Sequence, residues 1–403
     1  MLRFPSSFTP QSFLEQHWQK KPLFMPDALP DVDPLIAADD LAWLATQPDV
    51  EARLVVTETA RHGTRYRVQH GPFTARRLRR LPAEHWTLLV HDVEKHLPEF
   101  RSYYAAVSFV PDWRIDDLMI TVAAPGGSVG PHRDQYDVFL CHASGRRRWH
   151  LATPEEAVPG RHRGGLALLE PFESPAPITA GPSDVLYLPP VVPHWGIALD
   201  MCVTCSLGMR APTRNELADV LRLVLAEESR GVPPHAGDEP DLFYTDPDLR
   251  PDEAQPGMIS PRTLERAAGL VTRQLRGRTA NELLLARAVG ALVTAPKEFL
   301  APELPEEDEI ATLARRVLRS ERTPVHGMAR LAWCAPHAAP PMVFVNGRER
   351  TVSPETLDEF RHLCGERTLA GTCCAEWTKN DPSNDFLRWL IASGSFDLVD
   401  AEL

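Results

Sequence analysis

The tripeptide His132-Arg133-Asp134 is the only His-x-Asp in the 403 residues of this chain. Residues i and i+2 of a strand, or of a strand-like bend, project to one face. His132 and Asp134 can therefore offer an imidazole and a carboxylate to a single metal ion. A second imidazole follows 60 residues beyond Asp134, at His194 in PPVVPHWG. Two histidines and one carboxylate leave three metal positions open, the arrangement of non-haem Fe(II) oxygenase centres. The tripeptide alone is weak, because among 15 histidines about one His-x-Asp is expected by chance. A surface loop with local hydrogen bonds would account for it equally well. Its surroundings favour the metal: the Gly-rich turn PGGSVG before it, a strand-like run after it, and a basic strand further on.

Strands must carry these groups. Trp113–Val122 reads as the first of them. Asp134–His142 and Arg146–Ala152 read as a hairpin about Ala143-Ser144-Gly145. Along Arg146–Leu151, the apolar Trp149 and Leu151 share parity with Arg147, so Arg147 points inward while Arg146, Arg148 and His150 point out. An inward guanidinium needs an anion. That anion is either a ligand carboxylate gripped bidentately or an internal salt-bridge partner. Asp184–Leu188 is a further strand, and Ile197–Met209 closes the set. Cys202 and Cys205 form a CxxC, but i and i+3 of a strand face opposite ways and no second CxxC exists, so they read as two packed thiols.

Upstream, Thr9-Pro10-Gln11-Ser12 opens a capped helix, and Asp39 opens another. Arg53–Val56 and Arg65–Val68 read as strands, and helix-favouring residues occupy Trp86–Leu97. Downstream of Arg214 the composition turns helical, with Asn215–Arg230 and a second helix over Ser260–Leu275 whose Pro261 suits a first turn. The last third alternates helices with the strand-like Pro341–Val345. The adjacent pair Cys373-Cys374 has no evident partner and is given no role.

Length suggests two or three domains. With 43% hydrophobic and 24% charged residues, the composition is that of a globular protein. A net charge of −12 argues against a general nucleic-acid binder and suits a basic protein partner. From Asn281 to Leu403, 13 basic residues face 19 acidic ones, unlike a DNA-binding winged helix. No apolar run approaches a membrane span. The start of the chain lacks the apolar core of a signal peptide. Seven scattered cysteines, an odd number, fit a reducing compartment, so the expected location is cytoplasmic.

The segments Asp117-Leu-Met-Ile, PGGSVGPHRDQYDVF, GRRRW and PPVVPHWG together resemble the JmjC-type ribosomal oxygenases. Within them the similarity is greatest to the bacterial branch that hydroxylates an arginine of a large-subunit ribosomal protein. The resemblance implies a mixed α+β chain. A double-stranded β-helix (cupin/JmjC barrel) with N-terminal helices would occupy residues 1–212, a helical dimerisation segment 213–278, and a winged-helix-like domain 279–403. It further implies Fe(II) held by His132, Asp134 and His194, and 2-oxoglutarate anchored through its far carboxylate by Arg147. Thr121 matches a small hydroxyl residue of the family that could assist Arg147, or it is merely packed. The implied reaction is hydroxylation at the β-carbon of an arginine in a 50S ribosomal protein, by a homodimer. Asp116, Asp117 and Asp137 would suit that substrate, and the sequence does not show which of them faces the cavity. The alternatives are a JmjC oxygenase for another residue (a histidine hydroxylase or lysyl demethylase) and a non-catalytic cupin-like binding protein.

Overall fold

The computed structural model describes residues 1–5, 8–29, 38–60, 63–160, 168–228, 243–271, 282–297, 300–336, 339–370 and 385–397. Cys373 and Cys374 lie outside them. By packing, the chain divides into two units: Met1–Phe109 with Ile115–Arg210 and Pro247–Pro251, and Val110–Arg114 with Ala211–Asp246 and Asp252–Leu403.

Among its described residues the first unit has eleven strands: β1 (Leu23–Met25), β2 (Ala52–Ala60), β3 (Gly63–His70), β4 (Trp86–Val90), β5 (Ile115–Ala123), β6 (Val138–Ser144), β7 (Arg147–Leu151), β8 (Ile178–Ala180), β9 (Val185–Leu188), β10 (His194–Ala198) and β11 (Cys202–Met209). Eight form a sheet in the order β1-β9-β6-β11-β5-β4-β2-β3, and three form a second in the order β10-β7-β8. Val138, Leu140, Leu186 and Leu188 of the large sheet share a buried cluster with Trp149 and Ala180 of the small one. The two inner faces thus make the mixed α+β, cupin-like core. Polar residues on those inner faces are exceptions that need a reason.

The outer face of the large sheet is covered by α1 (Pro10–Gln16). Thr9 caps this helix reciprocally with Ser12, and Pro10 takes the first turn. Its Phe13 ring lies 4.9 Å from Tyr187 and 5.8 Å from Phe139, both on outward positions of the sheet.

Two expectations are corrected. Trp86–Val90 is a strand rather than the start of a helix; all five residues are buried, between β2 and β5. Tertiary pairing overrides local propensity there, and a short helix, α2 (Val93–His96), follows only after it. Nor do β6 and β7 form a hairpin: β6 pairs with β9 and β11, whereas β7 pairs with β8 and β10. The turn between them carries the chain from one sheet to the other. Gly145 makes it possible at φ +65, where an added Cβ would meet the Met201 carbonyl oxygen at 2.2 Å.

The second unit holds α3 (Arg214–Glu228), α4 (Pro261–Val271), α5 (Glu282–Thr294), α6 (Glu307–Arg319), α7 (Pro354–Glu366) and α8 (Asp385–Ala392). Small antiparallel sheets accompany them, the larger formed by Leu331–Cys334, Met342–Val345 and Arg348–Thr351. Leu217, Leu264, Val289 and Phe344 belong to one buried cluster, and Val317, Phe360 and Leu390 to another. No helix among the described residues is long and apolar enough to cross a membrane.

Candidate active site

The glycine-rich turn delivers His132 in a fixed pose. Gly130 adopts φ +90, and a Cβ there would lie 2.9 Å from both Leu168 and Tyr66. Ser128 Oγ accepts from the Gly130 N–H at 3.0 Å and from Trp195 Nε1 at 3.1 Å, tying the turn to the strand that carries His194. His132 and His194 then pair through their backbones, and their rings lie with centroids 4.2 Å apart. The Val191 N–H donates to the Asp134 carbonyl at 2.7 Å, which holds the third residue.

The side chains of His132, Asp134 and His194 converge, their ligand atoms all lying within 4.8 Å of one another. Asp134 Oδ2 is 3.9 Å from His132 Nε2 and 3.5 Å from His194 Nε2. Each Nδ1 lies 2.9 Å from a backbone carbonyl, of Gly130 and Val192 respectively. A carbonyl only accepts, so Nδ1 carries the proton and the Nε2 lone pair faces the shared space. Burial and the neighbouring His132 hold the His194 pKa down to about 4, leaving it neutral at ordinary pH. Metal bonds of about 2.1 Å at right angles separate donor atoms by about 3 Å, slightly less than the spacing seen. The donor set and its tautomers fit a divalent metal.

Beneath this triad the inner face of the small sheet reads Arg147, Trp149, Leu151 on β7 against Ala198, Gly196, His194 on β10. Arg147 is 6% exposed, whereas the side chain of Arg146 is 62% exposed and Arg148 is exposed. The parity reading of this strand therefore holds at its three arginines. His150 is turned outward but buried, its Nδ1 accepting from the Ser174 N–H. Ala198 faces Arg147 four residues along β10 from His194, roughly 13 Å at strand rise. Arg147 Nε and Nη2 are buried and have no hydrogen-bond partner among the described residues. Among the described residues no carboxylate pairs with it, so no internal salt bridge is seen there. The indole of Trp149 lies between the two ends, with Gly196 opposite it: a Cβ on Gly196 would sit 2.6 Å from the ring.

Thr121 is buried on the inner face of β5, and its Oγ1 donates to the Thr204 carbonyl at 3.4 Å. Cys202 shares the inner cluster of Ala123 and Ala198, whereas Cys205 pairs with Cys141 on the other face, so the CxxC sulfurs share no ligand. Of the three aspartates, Asp137 is buried on the outer face, accepting from Tyr187 Oη at 2.5 Å and Gln19 Nε2 at 3.1 Å. Asp117 shares the inner parity of Thr121, and its Oδ2 is 3.1 Å from His91 Nδ1. Gly208 lies opposite it, where a Cβ would come within 2.8 Å of Asp117 Oδ1 and 3.8 Å of the Tyr136 ring. Sequence reasoning missed polar residues of the inner face, among them His142 and Thr204. Both sit in apolar strands, and only the register reveals that they are neighbours.

A cupin-like barrel with two imidazoles and a carboxylate at one end, and a buried arginine with no carboxylate partner among the described residues further in, defines the class of metal-dependent oxygenases. Comparison with known proteins agrees. Residues 103–217 match the JmjC domain family. The chain is 36% identical over 256 residues to the ribosomal protein uL16 3-hydroxylase of Escherichia coli (strain K12), 63% of this chain and 64% of that relative. It is 30% identical over 317 residues to a probable ribosomal oxygenase of Haemophilus influenzae, 77% of this chain and 75% of the relative. The X-ray structure of E. coli YcfD superposes with a TM-score of 0.72 at 27% identity, covering 98% of this chain and 99% of that one. The structure of YcfD in complex with cobalt and 2-oxoglutarate gives 0.68 at 26%, covering 96% and 98%. This chain belongs to the JmjC-domain ribosomal oxygenases.

Proposed function

We propose that the chain is an Fe(II)- and 2-oxoglutarate-dependent hydroxylase of the β-carbon of an arginine in a large-subunit ribosomal protein. The observation that carries this reading is the buried Arg147, whose Nε and Nη2 have no hydrogen-bond partner among the described residues, set below three converging metal-ligand side chains. A non-catalytic scaffold has no use for such a group, because an unpaired buried charge is costly. The relative that is similar over 64% of its length is a uL16 3-hydroxylase, which supports the substrate class.

In this reading His132, Asp134 and His194 hold the metal on one face and leave the other face to ligands. Arg147 grips the far carboxylate of 2-oxoglutarate, with Thr121 nearby on the opposing sheet. Iron with 2-oxoglutarate and dioxygen supplies an oxidant able to hydroxylate an unactivated C–H bond. The protein holds the target carbon in register and keeps water out. Asp117, steadied by His91 at 3.1 Å, receives the substrate guanidinium, and Gly208 leaves room for it. The acidic chain, at −12, would steer a basic ribosomal protein and not DNA. Homodimerisation through residues 213–278, a winged-helix-like domain over 279–403 and a cytoplasmic setting complete the proposal.

The test is intact-mass analysis of uL16 after incubation with the protein, Fe(II), 2-oxoglutarate and air, with His132→Ala in parallel. A gain of roughly 16 Da, one oxygen, on an arginine and absent with the variant is the expected result. Turnover of 2-oxoglutarate without that gain would remove the substrate assignment, and no turnover would remove the enzyme.

A further inference from the structure

Among the described residues Val191 is the only β-branched side chain at positive φ, with φ +62. It follows Pro190 in the turn between β9 and β10. Proline followed by a positive φ is the pattern of a type II turn, whose second central position calls for glycine or asparagine. A β-branched residue there is strained. Packing does not offset this: Val192 joins the cluster between the two sheets, whereas Val191 is turned out and 38% exposed. The Val191 N–H holds the Asp134 carbonyl at 2.7 Å, but glycine would supply the same N–H without strain. The isopropyl group therefore serves something outside the folded chain, beside a metal-ligand residue.

Strand order indicates what comes there. β9, β6, β11 and β5 are consecutive neighbours, and one end of them carries Val191, Tyr136, Gly208 and Asp117 in that order. At about 4.8 Å per strand, roughly 14 Å separate Asp117 from Val191. With its guanidinium on Asp117, an extended arginine side chain and that hydrogen bond span roughly 10 Å. The substrate main chain then arrives on the Val191 side of Asp134, with about 4 Å left, one van der Waals contact. Hydroxylation at the β-carbon demands this depth, because that carbon is one bond from the main chain. A side chain modified at its tip would keep its neighbours away from the rim. We infer that Val191 packs against the side chain of a residue flanking the target arginine, and so selects an apolar neighbour in the protein substrate. The inference rests on the proposed reaction and adds to it a determinant of sequence preference.

The test measures kcat and KM of the full-length, Fe(II)-loaded protein on two forms of uL16, with both residues flanking the modified arginine set to leucine or both to glycine. Val191→Gly and Val191→Thr run beside the parent, with calorimetry of Mn(II) and 2-oxoglutarate binding under nitrogen. The parent should show a KM about tenfold lower for the leucine form, as for one buried apolar side chain. Val191→Gly should lose that preference through KM rather than kcat. Its two Kd values should match the parent, and it should melt at a higher temperature because the strain is gone. Val191→Thr keeps the strained, branched shape, so it should melt near the parent while its hydroxyl weakens the preference. If the parent treats both forms alike, or Val191→Gly keeps the preference, the contact is wrong and the proposed function stands. Weaker Mn(II) or 2-oxoglutarate binding in Val191→Gly, or a lower melting temperature, would make the residue a structural strut and overturn the inference. A parent that leaves natural uL16 unmodified removes the proposed function, and the inference with it.

Discussion

The backbones of His132 and His194 exchange both of their hydrogen bonds, N–H of His132 to the His194 carbonyl at 3.0 Å and N–H of His194 to the His132 carbonyl at 2.9 Å. Two residues far apart in the chain are thus locked as a cross-strand pair before any metal arrives. Their imidazoles inherit a spacing set by peptide geometry, not by the ion.

This pre-assembly separates fold from ligation. Asp134→Ala leaves the backbone pair intact and should change the unfolding free energy of the metal-free protein by no more than about 0.5 kcal/mol. The parent should gain about 2.7 kcal/mol at a metal concentration one hundred times its Kd, and the variant should gain none. Calorimetric melting with and without Mn(II) measures both. A metal-induced shift that survives in Asp134→Ala would remove the triad.

Arg147 gives a less intuitive expectation. Its Nε and Nη2 are buried without hydrogen-bond partners among the described residues, so the guanidinium is a cost to the protein until an anion arrives. Arg147→Met should raise the unfolding free energy of the ligand-free protein by about 1 kcal/mol. Urea denaturation of the two proteins decides it, and a clear loss of stability would show that the arginine is already satisfied.

Gly196 is a place in the small sheet where a methyl group would strike the core directly. A Cβ there lies 2.6 Å from the Trp149 ring, which must tilt and loosen its bond to His142. Gly196→Ala should destabilise by about 1–3 kcal/mol, as overpacking of a core does. Unchanged urea midpoints would mean that the ring moves freely.

Asp117 bears on the protein substrate alone. Asp117→Asn removes the charge that would meet a guanidinium and keeps the shape beside Gly208. KM for a uL16-derived peptide should rise about tenfold or more, as for a charge-assisted hydrogen bond. The Kd for 2-oxoglutarate should not move; a parallel rise in it would place Asp117 in the wrong pocket.

Acid should act through the buried histidines. His142 falls from 6.5 to about 3 on folding, so the unfolded chain takes a proton that the folded protein refuses. The stability tied to this group is complete above about pH 6.5 and is lost as pH falls through 6.5 toward 3. The slope is about 1.4 kcal/mol per pH unit at its steepest. His194, held down to about 4, adds in the same sense. The buried carboxyls of Glu94 and Asp112 are raised and act the opposite way, but they are common to parent and variant. The comparison is therefore the metal-free parent against His142→Phe between pH 7 and 5. The variant should show the shallower fall, and equal slopes would mean that His142 is charged in the folded protein.

Much of the site was legible because its signals are local. His132 and Asp134 stand at i and i+2 after a glycine turn, and the parity of Arg147 with Trp149 and Leu151 is written in six consecutive residues. Strand pairing was not local, and it was misread twice. Trp86–Val90 looked helical because nothing in it names β2 and β5 as its neighbours. The turn at Gly145 looked like a hairpin because sequence adjacency does not reveal that β6 and β7 join different sheets.

The chain by itself determined the ligand types, their spacing and the inward arginine, since alternation along one strand follows from backbone stereochemistry. The tertiary structure alone decided which polar side chains meet. Register across strands joined by long connections sets Thr204 beside His142 and turns Asp117 inward while Asp137 is spent on Tyr187. Register is fixed by the packing of two sheets against one core, a property of the assembled barrel that no single strand contains.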